Sequence, residues 1–165
     1  DGYDAIIIYC GSDPAVAAAR ELVKIPVIGP GKLSKMVALD MGYRFSVLTV
    51  LPTCIARDTE AVYEKGFDMT RLASVRSIGI PVSDVREDMN ALCQAGRLCV
   101  EKDGAHCIVL SCLGMAGMGE RLSGALGVPV LDPAPLAVQY AQMLGSLGIS
   151  QSRAAYPAIG EKIRI

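Results

Sequence analysis

Two copies of one short pattern constrain the fold of this chain more than any other feature of its sequence. The segment GYDAIIIYC, at residues 2–10, matches GAHCIVLSC, at residues 104–112. Further along, LVKIPVIGP at residues 22–30 matches ALGVPVLDP at residues 125–133. Each copy contains an apolar run that ends in cysteine, a turn and helix, and a second apolar run that leads to proline. We therefore expect two related strand–cysteine–turn–helix–strand units, with the two cysteines at equivalent positions.

Strand-like and helix-like segments alternate along the whole chain. Continuous apolar runs predict strands that are buried on both faces, and segments of helical pattern separate them. The predicted strands are residues 4–9, 25–28, 45–50, 72–78, 105–111 and 128–131. The predicted helices are residues 13–24, 33–39, 54–65, 85–102, 118–126 and 135–147, and residues 148–165 are predicted to be loop. Such alternation is typical of an α/β fold with a parallel sheet and helices on both faces.

Cys10 and Cys112 each end a predicted strand of this sheet. In parallel α/β sheets, ligands bind beyond the carboxyl ends of the strands. An approximate two-fold axis between the two units would make both thiols face one pocket from opposite sides. One thiolate would then remove a proton from a carbon, and the other thiol would deliver a proton to the opposite face. This arrangement inverts a stereocentre without a cofactor.

A helix is predicted to begin shortly after each of these cysteines. Asp13 suits the N-cap of the first helix, with Pro14 at its first position. Backbone amides at a helix N-terminus favour a thiolate and hold an oxyanion that develops during proton abstraction. The amides that follow Cys10 and Cys112 are therefore expected to stabilise negative charge in the pocket.

The composition excludes several classes of function. The net charge of −1 is mixed along the chain, without a basic stripe for nucleic acid or for an anionic membrane. No apolar run approaches the ~20 residues of a membrane span, and no signal peptide is recognised at the start. The six cysteines include no C-x-x-C pair, so a zinc site is not expected. These features favour a reduced, cytoplasmic protein with free thiols.

The other cysteines and two further polar residues are expected to have structural roles. The cysteines without an equivalent in the repeat are predicted to pack in the core; they are Cys54, Cys93, Cys99 and Cys107. His106 is the single histidine and precedes a predicted strand, at the end away from Cys112. This placement argues against a Cys–His hydrolase. Asp132 is predicted to cap the helix or shape the turn after the last strand.

Several longer segments resemble the Asp/Glu racemase superfamily, and within it the hydantoin and allantoin racemase branch. The segments that carry the resemblance span nearly the whole chain and are YCGSDPAVAAARELVKIPVIG, RFSVLTVL, RLASVRSIGIPV, DGAHCIVLSCLGMAG and GVPVLDPAPLAV. RLASVRSIGIPV and the C-x-G-M-A-G stretch are similar to hydantoin racemases rather than to amino-acid racemases. Amino-acid racemases carry C-N-T and C-T motifs at the two cysteines.

The resemblance implies a fold of two pseudo-symmetric, parallel-sheet α/β lobes with the site between them. The first lobe is expected to comprise residues 1–42 and 132–165, and the second lobe residues 43–131. The family pattern also includes a further strand and helix before the start of this sequence, so the first lobe is expected to be incomplete at its N-terminus. A homo-oligomer is also expected from the resemblance.

The resemblance further implies cofactor-independent, two-base racemisation of a small-molecule substrate, a hydantoin-like or allantoin-like ring, with no metal. Cys10 and Cys112 would be the two acid/base residues, and Thr49 would bind a substrate oxygen. The remaining candidate substrate-binding residues, which would supply amides or walls, are Gly11, Ser12, Leu113 and Gly114. Hydantoin racemases often have a bulky aromatic residue at the position of Gly11, so the glycine predicts a different or roomier pocket.

Three other functions remain open at this level. The first is an amino-acid racemase, a class that the chain resembles more distantly. The second is a maleate isomerase-like enzyme, which would use one cysteine as a nucleophile. A ligand-binding homologue without turnover is the third alternative. It is motivated by Gly11, by Lys32 near a position where the family has an acidic residue, and by the missing N-terminal segment. Thiol reactivity separates these cases, because catalytic cysteines react with iodoacetamide near neutral pH faster than packing cysteines.

Overall fold

The computed structural model describes residues 2–86 and 88–158 as alternating parallel strands and helices. The strands are β1 (Ile6–Ile7), β2 (Val27–Ile28), β3 (Phe45–Thr49), β4 (Leu72–Ser77), β5 (Cys107–Leu110) and β6 (Val130–Leu131). The α-helices are α1 (Val16–Leu22), α2 (Pro30–Met41), α3 (Ile55–Glu64), α4 (Met89–Glu101), α5 (Gly119–Leu126) and α6 (Pro133–Ser146). Residues 159–165 of the predicted C-terminal loop lie outside the described residues.

The strands form two parallel sheets. β1 pairs with β2, and the larger sheet has the order β4-β3-β5-β6. Each predicted strand and helix overlaps an observed element of the same type, and the differences lie at the ends. The predicted α/β fold with parallel strands is therefore confirmed. Among the helices of the described residues, none is long and apolar enough to cross a membrane.

The sequence repeat is present in the structure as two strand pairs with the same register. The paired residues are Ile6 with Val27 and Ile7 with Ile28 in the first copy, and Ile108 with Val130 and Val109 with Leu131 in the second. The glycines that open the two copies, Gly2 and Gly104, both have positive φ angles, 83° and 70°. A proline begins the helix that follows each pair, since α2 starts at Pro30 and α6 at Pro133. The two copies therefore adopt the same local structure.

The larger sheet is buried between two layers of helices. On one face, Leu48 and Leu110 pack with Leu92 of α4 and Leu122 of α5. On the other face, a second apolar cluster includes residues from α2 and α3. β3 and β5 are buried along their whole length, as expected for central strands that are covered on both sides. Each large side chain buried here contributes about 1.5–3 kcal/mol.

Helix α2 connects the smaller sheet to the larger one. Leu33 packs with Ile28 of β2 and Ala137 of α6. Further along the same helix, Ala38 is fully buried in the cluster that contains Phe45 of β3. Because one helix packs against both sheets, the residues that follow β1 lie near the carboxyl ends of β3 and β5.

Candidate active site

An open cavity of ≈ 380 Å³ lies at the carboxyl ends of the strands. The segments that follow β1, β3, β4 and β5 all contribute to its walls, and both Cys10 and Cys112 line it. The full set of lining residues is Tyr9, Cys10, Gly11, Ser12, Val50, Leu51, Cys54, Arg57, Val82, Ser111, Cys112, Leu113 and Gly114. Every candidate site residue from the sequence except Thr49 is in this set.

Cys10 is exposed and lies in a tight loop rather than at a helix start. Its carbonyl accepts a hydrogen bond from the N–H of Asp13, at 3.0 Å. Asp13 and Ala15 both have a φ of 56°, in the left-handed region, so α1 begins only at Val16. The prediction of a helix that starts at Asp13 is therefore wrong, and residues 10–15 form what we call the Cys10 loop.

Cys112 is half-buried and caps a single turn of 3-10 helix, Leu113–Met115. Its sulfur accepts a hydrogen bond from the N–H of Gly114, at 3.4 Å. A Cβ atom on Gly114 would lie 2.5 Å from Cγ1 of Val82, so a side chain here would have to displace Val82 in the segment that follows β4. The sulfur thus has a backbone donor that faces it, and such donors stabilise nearby negative charge.

Gly11 lies where the two cysteine-bearing segments touch. A Cβ atom on this residue would lie only 1.7 Å from the carbonyl oxygen of Ser111. The carbonyl oxygen of Gly11 in turn lies where a Cβ atom on Gly31 would be, at 1.9 Å. The glycine is therefore explained by the close approach of three backbone segments. This gives a packing reason for the glycine, and a different or roomier pocket at Gly11 stays a prediction.

Asp13 connects the Cys10 loop to two helices. Its carboxylate accepts hydrogen bonds from the N–H groups of Gly31 and Lys32, both at 2.7 Å, in the first turn of α2. It also forms an ion pair with Lys65, at 3.1 Å, and Lys65 donates to the carbonyl of Ser12 at 3.2 Å. Asp13 was predicted to cap α1, but its carboxylate caps α2 instead.

Asp132 makes a similar connection in the second copy of the repeat, although it aligns with Gly29 rather than with Asp13. Its carboxylate caps α6 by accepting from the N–H of Ala134 at 3.1 Å, which confirms the predicted cap. The other oxygen accepts from the N–H of Gly117, at 2.5 Å, in the segment that follows Cys112. In each copy one aspartate therefore connects the cysteine-bearing segment to the start of the next helix. It belongs to the loop in the first copy and to the helix start in the second.

Replacing Asp13 by asparagine is expected to destabilise the protein by about 1–2 kcal/mol, because one capping bond and the ion pair with Lys65 are lost. The melting temperature should fall by about 2–8 °C. Asp40→Asn is a matched control, since Asp40 is exposed on α2 and makes no side-chain hydrogen bond among the described residues. Equal melting temperatures for the two variants would contradict the capping role of Asp13.

Thr49 is placed differently from its sequence-based expectation. It ends β3 and is fully buried, and its hydroxyl oxygen has no hydrogen-bond partner among the described residues. It does not line the cavity, although its neighbours Val50 and Leu51 do. Its side chain lies on the same face of β3 as Phe45 and Val47, because alternate residues of a strand share a face. A substrate contact by Thr49 stays a prediction.

The cysteines that have no equivalent in the repeat divide into two groups. Cys99 and Cys107 are fully buried, and burial raises the pKa of the Cys107 thiol to about 11. Cys93 is half-buried against the main core. Cys54 also packs against this core, but it lines the cavity as well. Cys54 therefore has two placements, in the core and at the cavity wall, and only the first was predicted. The sequence signal for the second is that Cys54, like Cys10, follows the carboxyl end of a strand.

Arg57 is another cavity residue that the sequence interpretation missed. It lies in the first turn of α3, and Asp58 binds its guanidinium through Nε at 3.0 Å and through Nη2 at 2.9 Å. The pKa of Arg57 is raised, first by the hydrogen bond to Asp58 and also by the nearby sulfurs of Cys54 and Cys10 when they are ionised. No motif marks this arginine, but it follows the same strand end as Cys54.

The single histidine lies away from the cavity. His106 is exposed immediately before β5, and its Nδ1 accepts from the N–H of Tyr43 at 3.2 Å. This agrees with the predicted role at the start of a strand. Within the described ranges, no group of three or more His, Cys, Asp and Glu side chains is arranged to hold a metal ion.

The sequence matches the family model of Asp/Glu/Hydantoin racemase over residues 1–141. A hydantoin racemase from Rhizobium meliloti is 38% identical to this chain, over 96% of the chain and 68% of that protein. A hydantoin racemase from Paenarthrobacter aurescens is 37% identical, over 92% of the chain and 65% of that protein.

Solved structures agree with this assignment. An allantoin racemase from Pseudomonas fluorescens superposes with a TM-score of 0.89 and 30% identity, over 100% of this chain and 72% of that one. The chain thus spans about two thirds of the length of the relatives that it matches. These relatives support an isomerase of the racemase type, and the chain belongs to the Asp/Glu/hydantoin racemase family.

Proposed function

We propose that this chain forms the catalytic part of a cofactor-independent racemase that inverts a carbon stereocentre in a hydantoin-like or allantoin-like ring. The observation that carries the proposal is that Cys10 and Cys112, equivalent residues of the repeat, line one cavity. The family relatives include hydantoin racemases and an allantoin racemase, which supports a ring of this class as the substrate.

In the proposed reaction, one cysteine is a base and the other is an acid. The thiolate of one removes the proton from the ring carbon beside a carbonyl group, and the electron pair of the C–H bond moves to the carbonyl oxygen. The thiol of the other then donates a proton to the opposite face of the same carbon. The product is the mirror-image ring. The cysteine that began as the thiolate is now a thiol, and the cysteine that began as the thiol is now a thiolate. Either cysteine serves as the base, depending on which enantiomer enters.

The walls of the cavity suit a small ring. The volume of ≈ 380 Å³ is at the lower end of the range for small-molecule sites. Apolar side chains form much of the lining; they are Tyr9, Val50, Leu51, Val82 and Leu113. Gly11, Ser12 and Gly114 also line the cavity, and their backbone groups are proposed to contact the polar edge of the ring.

The organisation of the whole protein is also part of the proposal. We propose two lobes, residues 1–42 with 132–165 and residues 43–131, with the substrate between them. The two sheets support this division, since the smaller sheet lies in the first lobe and the larger in the second. All six cysteines are free, which supports a reducing, cytoplasmic location. A homo-oligomer is proposed from the family resemblance.

The proposal is tested by following a single enantiomer of a 5-substituted hydantoin in heavy water with the full-length protein. Optical rotation should decay to zero, and each inverted molecule should carry one deuterium at the ring carbon, because the incoming proton comes from a thiol that has exchanged with solvent. The mass of the product measures the deuterium. Racemic product without deuterium would contradict proton transfer through the thiols.

The same assay separates the alternatives. A maleate isomerase-like enzyme would leave the hydantoin unchanged and isomerise maleate, with a covalent adduct detectable by mass spectrometry. A ligand-binding homologue would do neither. Either result would overturn the racemase proposal for this chain.

A further inference from the structure

Arg57 gives the cavity a positive charge that the two-cysteine scheme does not use. It is the only cationic side chain among the cavity-lining residues of the described part of the chain. Its side chain is 58% exposed, whereas the side chain of its partner Asp58 is only 9% exposed. The guanidinium lines the cavity and is accessible to solvent, whereas the carboxylate of its ion pair is nearly buried.

Asp58 fixes the orientation of this guanidinium. A single carboxylate oxygen, Oδ1, binds both Nε and Nη2, at 3.0 and 2.9 Å. The other terminal nitrogen, Nη1, has no protein acceptor among the described residues. A guanidinium held on one side in this way keeps donors available in a fixed direction, which is why arginine is suited to binding anionic oxygens.

Arg57 belongs to a group of charged side chains in which cations outnumber carboxylates. Lys35 is buried and donates to the carbonyl of Gly31 at 3.0 Å, and burial is the first cause that lowers the pKa of Lys35 to about 8. Lys65 is paired with Asp13. Three cationic side chains thus face the two carboxylates of Asp13 and Asp58. Arg57 is the cation of this group that lines the cavity.

We infer that Arg57 is a substrate-binding residue that holds an anionic oxygen of the ligand beside Cys10. This inference rests on the proposed racemase function and extends it to the class of group that the site recognises. The anionic oxygen has two chemical sources in a ring substrate. It is either the carbonyl oxygen that gains negative charge as the proton leaves, or an ionised group on the ring or its substituent.

The first test needs no turnover. It compares alkylation of Cys10 by iodoacetate, which is anionic, with alkylation by iodoacetamide, which is neutral and of similar size. Both reagents consume the thiolate, so the ratio of their rate constants cancels the fraction of thiolate and reports the local charge. The ratio should fall about five-fold in Arg57→Gln, since one unit charge at contact distance in water contributes about that factor. Mass spectrometry of the peptide that contains Cys10 measures both rates.

Two variants control this test. Arg57→Lys keeps the charge and should retain most of the ratio, and Arg97→Gln removes an exposed arginine of α4 that does not line the cavity. The buried Cys107 should stay unreactive in every variant, which shows that each remains folded. An unchanged ratio in Arg57→Gln, or an equal fall in Arg97→Gln, would overturn the inference.

Turnover then identifies the source of the anionic oxygen. If the reacting carbonyl is the source, Arg57→Gln should lower kcat about ten-fold or more on a hydantoin with a neutral alkyl substituent. If a substituent is the source, Arg57→Gln should lose activity only on a hydantoin with a carboxylate side chain. That loss should appear mainly as a higher KM. Unchanged kinetics on both substrates would overturn the inference. Absence of turnover in the unmodified protein would instead refute the racemase proposal, and the alkylation ratio would still decide the role of Arg57.

Discussion

Replacing Cys112 by serine is expected to lower the rate of hydantoin racemisation by about 10²- to 10⁴-fold, in both directions. Each direction of the proposed reaction uses both thiols, one to remove a proton and the other to donate one. A serine hydroxyl is far less acidic than a thiol, so it performs neither task near neutral pH. Cys10→Ser should have an effect of the same size, because the two residues are equivalent in the repeat.

Deuterium exchange distinguishes this scheme from a one-base mechanism. In Cys112→Ser the remaining thiolate, Cys10, still faces one side of the ring carbon. That variant should exchange the proton of one enantiomer in heavy water without inverting it, and Cys10→Ser should do so with the opposite enantiomer. Proton NMR of the ring carbon position measures exchange, and optical rotation measures inversion.

Cys93→Ser is the matched control for both cysteine variants. Cys93 is half-buried against the main core and does not line the cavity. Its replacement should leave the racemisation rate within about two-fold of the unmodified protein, consistent with a surface or partly buried change away from the site. Full racemisation by Cys112→Ser would contradict the two-base mechanism.

The repeat was the most informative part of the sequence because its matching residues occupy matching places in two pairs of strands. The strand pairs of both copies have equal register, Ile6 with Val27 and Ile108 with Val130. The apolar pattern of a strand and the connections that flank it help to determine register, so two similar segments form similar pairs. The same reasoning placed Cys10 and Cys112 at equivalent strand ends, and the cavity contains both.

The sequence interpretation failed where tertiary contacts override local pattern. Asp13-Pro14 is a good local start for a helix, but the carboxylate of Asp13 binds the distant amides of Gly31 and Lys32 instead. This leaves Asp13 and Ala15 in left-handed conformations, which no local propensity predicts.

Arg57 shows a different limit of sequence reasoning. It lies on a helix of polar pattern, where an arginine ordinarily faces solvent. Only the packing of α3 beside the Cys10 loop places it at the cavity wall. Cys54, by contrast, could have been selected by the strand-end rule that selected Cys10, since it follows β3.

Replacing Gly11 by alanine is expected to destabilise the protein by about 1–3 kcal/mol or more. The added methyl group would clash with the backbone of the neighbouring segment. A Cβ atom would lie 1.7 Å from the carbonyl oxygen of Ser111. Both groups belong to backbone, so neither moves as freely as the end of a side chain. The Cys10 loop must shift away from the segment that carries Cys112. Urea unfolding measures the loss of stability.

Gly124→Ala is the control for this variant. Gly124 lies in α5, and a Cβ atom there would meet nothing within 4 Å. Alanine has the higher helix propensity, so this change should leave stability unchanged or raise it by up to about 1 kcal/mol. A variant of Gly11 as stable as that of Gly124 would contradict the close approach of the two segments.

Activity in Gly11→Ala separates the two explanations of this glycine. If Gly11 only enlarged the pocket, a methyl group would raise KM for bulky substrates and leave kcat for a small hydantoin unchanged. If it allows the two cysteine-bearing segments to touch, the shift changes the distance between the two thiols. A misplacement of about 1 Å costs about 10²-fold in rate, so kcat should fall for every substrate, small or large. The unchanged Cys10 and Cys112 in this variant show that the loss comes from geometry rather than from a missing acid or base.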